Sequence, residues 1–200
     1  EIGSGLVGSE MCIRDRSSSF GLYTWMNNPE SQMVAVTVRA GSKAEMALPD
    51  GTFVHLNAAT NLEYDVNNSK QRLVKLSGEA FFDVAKNPDC PFKVIINDLQ
   101  IEVVGTSFNV KTYKKDIVET SLLSGRIRIS GGSLPHEYTL SPGQKATYSA
   151  MDRTLRISKA DAHVEAGWRD NYLIFESTPL IDVIAVSYTH LRAHETGAYL

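Results

Sequence analysis

Cysteine is almost missing from this chain, with two in 200 residues, Cys12 and Cys90. Cys12 falls in a leader set aside below, so Cys90 stands alone. No internal disulfide is available and no thiolate zinc site can be assembled. Cys90 precedes Pro91 at the start of a strand, and no local histidine stands ready to activate its thiol. Long apolar runs are missing too. Nothing approaches the roughly twenty residues that span a bilayer as a helix. Basic residues are not in excess, and the net charge is −3. The chain therefore has no electrostatic footprint for nucleic acid, and no basic cluster marks a membrane-surface patch.

Groupings that carry chemistry are also scarce. His55, His136 and His163 sit on a strand, in a loop and in a linker, without metal spacing among them. The serines lie in turns, and none stands in a nucleophile elbow. His190 and His194 are four apart with Glu195 beside them. That is a helical metal-ligand spacing, but the tail supplies no third ligand. The expectation is a chain without catalytic residues, metal or cofactor, and not an enzyme.

The two ends read differently from the rest. Residues 1–16, EIGSGLVGSEMCIRDR, and 187–200, SYTHLRAHETGAYL, resemble translated adapter or vector sequence. Neither continues the pattern beside it, so both are set aside from fold reasoning. The remaining 17–186 carry 17 basic and 19 acidic side chains. In 17–33, Tyr23 and Trp25 precede a polar Asn-Asn-Pro. Such aromatics suit either the outer flank of a membrane helix, which makes this part a juxtamembrane linker, or a plain loop with two exposed aromatics.

From 34 to 160 short apolar alternations recur, cut by turn signals about every ten residues, as in all-β domains. Ala44, Met46 and Leu48 alternate with polar residues, Pro49-Asp50-Gly51 makes a turn, and Val54 and Leu56 resume opposite Phe53 and His55. Asn57 and Asn61 bracket the next turn. Phe92, Val94 and Ile96 alternate after Pro91. Ile101, Val103, Phe108 and Val110 follow, with Gly105 breaking the run. Gly105-Thr106-Ser107 lacks the glycines, lysine and following helix of a phosphate loop. Gly125 and Pro142-Gly143 mark later turns, and 154–158 reads as a last strand.

The stretch 72-RLVKLSGEAFFDVA-85 reads as one strand. Val74, Leu76, Ala80, Phe82 and Val84 fall at period two and face the core. Glu79 and Asp83 then share the opposite, polar face with Lys75 and Ser77. Two carboxylates four residues apart on a strand are separated by about 13 Å, beyond the roughly 5–9.5 Å of a glycosidase pair. A polar strand face is the expectation, not acid/base catalysis. Gly78 inside the strand signals a bulge or a close backbone approach.

Near 160 the character changes. A linker leads to a strand at Tyr172–Phe175. A helix start follows, with Ser177 or Thr178 as N-cap, Pro179 in the first turn, and Leu180, Val183 and Ile184 at helical spacing. Residues 168–186 thus open a small α/β unit of βαβ type. The expected fold is mainly β: one all-β domain, either a two-layer sandwich or a solenoid-like wound sheet, followed by that unit.

The blocks 48-LPDGTFVHLNAATNLEY-64, 74-VKLSGEAFFDVAKNPDCPFKV-94 and 104-VGTSFNV-110 resemble the FecR family of sigma-factor regulators. Within them stand Asn57, Gly78, Glu79, Phe82, Val84, Pro91, Phe92, Thr106, Phe108, Asn109 and Val110. Looser matches at 120–129 and 140–148 carry Gly125, Pro142 and Gly143. Residues 168–184 are similar to the start of that family's C-terminal domain as found in Bacteroidetes. The resemblance implies a periplasmic β domain anchored in the inner membrane by a helix outside this sequence. It also implies protein partners. An extracytoplasmic-function sigma factor would be bound by a cytoplasmic domain outside this sequence. The signalling domain of an outer-membrane TonB-dependent transporter would be met on the periplasmic side. Edge pairing through Tyr172, Ile174 and Phe175 is the expected contact with that partner. The alternative from a different class is a secreted carbohydrate-binding β-sandwich. It would need a planar patch of exposed aromatics, and Trp25, Trp168 and Tyr172 lie in separate segments.

Overall fold

The computed structural model describes residues 32–66, 72–114 and 116–170. The chain divides into two compact units, Glu1–Ser31 and Gln32–Leu200, and the described residues belong to the second. They form strands β1 (Met33–Val38), β2 (Ala44–Ala47), β3 (Phe53–Leu56), β4 (Thr60–Asp65), β5 (Arg72–Ser77), β6 (Glu79–Asp83) and β7 (Phe92–Ile96). Then come β8 (Leu99–Val103), β9 (Ser107–Lys111), β10 (Ile117–Ser124), β11 (Ile127–Gly131), β12 (Tyr138–Leu140), β13 (Gln144–Ser149) and β14 (Thr154–Lys159). A helical turn at Ala162–Glu165 and a 3-10 turn at Gly167–Asp170 follow.

The strands make two seven-stranded sheets, ordered β1-β4-β5-β7-β8-β11-β12 and β14-β13-β10-β9-β6-β3-β2. The two-layer alternative is therefore the one adopted. The chain still winds, passing from one sheet to the other every one or two strands. Neighbours are antiparallel except β5 and β7, which pair in parallel. One apolar core lies between the layers, drawing Leu62, Val74, Phe92, Ile101 and Ile129 from the first sheet and Leu56, Phe82, Phe108, Val110 and Leu122 from the second. Phe82 stacks on Phe108 with ring centroids 5.2 Å apart and leans on Phe92 at 5.9 Å. Burying each such ring contributes about 1.5–3 kcal/mol.

The alternation in the sequence reports this core directly, because residues at period two face one side of a strand. Two expectations need correction. The stretch 72–85 is not one strand. It is β5 of the first sheet and β6 of the second, separated by a corner at Gly78. Core parity survives the corner because both sheets face the same interior. The residues read as a linker after 160 contain the two helical turns, which fold back onto β9 and β10. The expected strand Tyr172–Phe175 and the helix after it lie outside the described residues, as does the tail with His190 and His194. Among the described residues no helix is long and apolar enough to cross a membrane.

Candidate functional site

The block residues converge at the corners where the chain changes sheet. At the first corner, Gly78 takes φ +116, and a Cβ there would lie 2.5 Å from Thr60 Oγ1 and 2.7 Å from Thr60 Cα. Only glycine permits that approach. Thr60 Oγ1 accepts from Glu79 N at 3.0 Å and donates to Glu79 O at 3.1 Å. Thr112 Oγ1 accepts from Gly78 N at 2.7 Å.

Glu79 corrects the expected polar strand face. It is only 5% exposed. Its carboxylate accepts from Asn57 Nδ2 at 2.7 Å and from Asn109 Nδ2 at 3.0 Å. A buried carboxylate requires such donors, and here two amides supply them. Asn57, Glu79 and Asn109, one from each of the three blocks, thus form a single network. Nearby, Tyr113 donates to Ala58 O. Burial raises the phenol's pKa, and the charge of Glu79 adds to the effect. Asp83 does lie on the exposed face, accepting from Ser107 Oγ at 2.8 Å. Lys75 pairs with Glu63 at 3.9 Å, not with Glu79 or Asp83. Glu79, enclosed by two amides, and Asp83, on the exposed face, are thus held by separate partners.

A second network surrounds Arg72, which the sequence reading did not single out. The side chain is 3% exposed and pairs with Asp50 at 3.2 Å. It also donates to Cys90 O at 2.7 Å, Ala85 O at 2.8 Å and Asn87 O at 3.2 Å, and it lies over the Phe92 ring. Asp50 in turn accepts from Thr52 N at 3.0 Å, and Gly51 N closes the turn on Leu48 O at 3.0 Å. One guanidinium therefore ties the Pro49-Asp50-Gly51 turn to the loop before Pro91. At a third corner Thr106 donates to Arg126 O at 3.2 Å, bringing Gly105 and Gly125 together. Gly143, by contrast, stands in an open turn after Pro142. Phe82, Val84, Phe92, Phe108 and Val110 serve the core.

The exit segment, residues 161–170, lies over the outer face of the second sheet. Lys145 reaches Glu165 at 2.8 Å and Glu119 at 3.4 Å. Burial favours the neutral amine, but the two carboxylates outweigh it and hold the pKa above the ordinary value. Asn109 Nδ2 also meets Glu165 O at 3.4 Å, and Asn109 Oδ1 accepts from Trp168 Nε1 at 3.3 Å. The Arg169 guanidinium sits 4.5 Å from the centre of Phe81, whose ring makes an edge contact with His55 at 6.1 Å. His55 Nδ1 faces Glu45 Oε1 at 3.3 Å, out of line for a hydrogen bond. Lys43 donates to Trp168 O. Trp168 is thus held against the sheet and is not a free platform.

Among the described residues no cluster of His, Cys, Asp or Glu could hold a metal ion. What the arrangement builds is a rigid β domain with a clamped outlet, a scaffold for contact between segments. The model of the FecR protein family matches residues 34–128, from β1 into β11. Two crystal structures of a candidate anti-sigma factor from Parabacteroides distasonis ATCC 8503, at 2.50 Å and 1.65 Å resolution, are similar. The first is 31% identical with a TM-score of 0.69, over 77% of this chain and 72% of that one. The second is 30% identical with a TM-score of 0.70, over 80% and 75%. No curated protein sequence matches. The chain belongs to the FecR family.

Proposed function

We propose that this chain is the signal-relaying periplasmic part of an anti-sigma factor anchored in the inner membrane. It passes the state of an outer-membrane TonB-dependent transporter to an extracytoplasmic-function sigma factor. It works by contact, and no bond is made or broken. The observation that carries this reading is FecR membership combined with likeness to a candidate anti-sigma factor of the same architecture. The docked exit segment supports it, because Glu165 and Trp168 tie the end of the described chain to the β domain through a few contacts that a partner can bias. A partner shifts such a relay only by binding its two states with different affinity.

In this reading residues 168–186 open the receiving domain, and Tyr172, Ile174 and Phe175 offer a strand edge to the transporter's signalling domain. The test is binding of that purified signalling domain to wild type and to Ile174→Pro, with circular dichroism on both. Proline removes a ladder donor. Loss of binding with the β signal intact supports edge pairing. Unchanged binding refutes it.

A further inference from the structure

The exit segment buries a surface that the core does not need. Phe81 is 2% exposed and Asn109 and Ser121 are 4% and 3% exposed, yet all three lie in one row on the face away from the apolar core, and Phe81 and Asn109 meet Glu165–Asp170. Phe81, despite its burial, is not among the core residues. The sheet's inner face is complete without the segment, filled by Ala80, Phe82, Phe108, Val110 and Leu122. What holds the segment is a short set of contacts. Lys145 takes Glu165 at one end, Asn109 takes Glu165 O and the Trp168 indole in the middle, Lys43 donates to Trp168 O and lies over its ring, and Phe81 receives Arg169 at the other end.

We propose that Glu165–Asp170 is a releasable strap, docked on the outer face of the second sheet and able to leave it as a unit while the β-sandwich stays folded. Asn109 is its positioning residue. The same side-chain amide donates to the buried Glu79 carboxylate and to Glu165 O, and its oxygen accepts from Trp168. Glu79 therefore fixes the amide's orientation, and the amide fixes the strap. Glu79 keeps both amide donors when the strap departs, because Asn57 and Asn109 belong to the sandwich. Local opening of this kind takes elements with few apolar contacts and leaves the global core intact. The strap has the buried Ala166 and Gly167, one contact to the Phe81 ring and otherwise polar anchors, whereas the sandwich has a continuous core.

Released, the strap would expose Phe81, Ser121 and the face of Asn109, and free whatever follows Asp170 to reorient. The inference rests on the strap's own contacts and stands apart from the identity of any partner. If the strap opens and no transporter domain binds, the strap survives and the relay reading fails. If a partner binds and the strap never opens alone, the reverse holds.

The experiment uses the full chain with Trp25→Phe, leaving Trp168 as the only indole. Urea unfolding is followed by acrylamide quenching of Trp168 and by the β signal in circular dichroism. The strap predicts that Trp168 becomes accessible at lower urea than the β signal is lost. Coincident curves would show one cooperative unit and overturn the proposal. Asn109→Ala should move the early transition to lower urea, with quenching in buffer up about two-fold or more as the indole gains water. Lys145→Met, which keeps the apolar stem, provides the same test from the other end without touching the Glu79 network. If either folded variant shifts only the β transition, the strap is not a separate unit.

Discussion

Arg72 and Asp50 form an ion pair at 3.2 Å in which the guanidinium is almost completely enclosed. Three backbone carbonyls share the same cation, from Ala85, Asn87 and Cys90. Removing one partner of a buried pair leaves the other uncompensated, at a cost of about 3–5 kcal/mol. Arg72→Ala should lose that much stability in urea unfolding. Asp50→Asn should lose less, about 1–3 kcal/mol, because the carbonyls still hold the guanidinium. Equal losses would mean that the carbonyl contacts contribute nothing.

Gly78 and Gly143 both have positive φ, but only Gly78 is crowded. Gly78→Ala would place a methyl on the backbone of Thr60 in an unfavourable conformation. The sum of strain and overpacking is about 2–5 kcal/mol. Gly143→Ala meets open space and should cost only about 1–2 kcal/mol. Thermal unfolding of the two variants separates close packing from backbone strain.

Phe82 and Phe53 test the two faces of the second sheet. Phe82 is fully buried in the aromatic stack, so Phe82→Ala should cost about 3–5 kcal/mol. Phe53 is 59% exposed, and Phe53→Ala should stay within about 0.5 kcal/mol. A larger loss at Phe53 would mean that this ring is covered.

The alkaline limb of stability has a definite sign. The pKa values of Tyr113 and Tyr148 are raised, chiefly by burial, and that of Lys145 is raised because Glu165 and Glu119 outweigh its desolvation. All three therefore favour the proton more in the folded state than in the unfolded one. Their contribution is complete below the unfolded values, near 10 for tyrosine and about 10.4 for lysine. It is lost as pH rises through the higher folded values. Melting temperature measured from pH 9 upward should begin to fall near pH 10. Glu165→Gln should weaken the part that depends on Lys145. A flat profile to pH 11 would contradict the assignment.

Much of the fold was legible because each β residue faces one of two sides. Val74, Leu76, Ala80, Phe82 and Val84 keep one parity from β5 into β6, and every one of them is buried. The same regularity concealed the corner, since a chain turning at Gly78 between two layers still faces one core. Pro49-Asp50-Gly51 and Pro142-Gly143 announced their turns by residue type. Glu79 was misread, and Phe81 given no role, for a different reason. They occupy the outward parity and are buried by Trp168 and Arg169, far downstream, and by Asn57 and Asn109 from other strands. Nothing within β6 announces that cover. Arg72 escaped notice because a lone arginine at a strand start reads as solvent-facing until its carbonyl partners are brought round by the loop before Phe92. The FecR blocks marked where these residues meet and not what joins them.

The most direct test of the regulatory account is a transcript profile of the native host with and without the full-length gene. The account predicts that one set of transcripts, served by a single extracytoplasmic-function sigma factor and including an outer-membrane transporter, changes together and is restored by the intact gene. An unchanged profile under conditions in which the protein is expressed would contradict it.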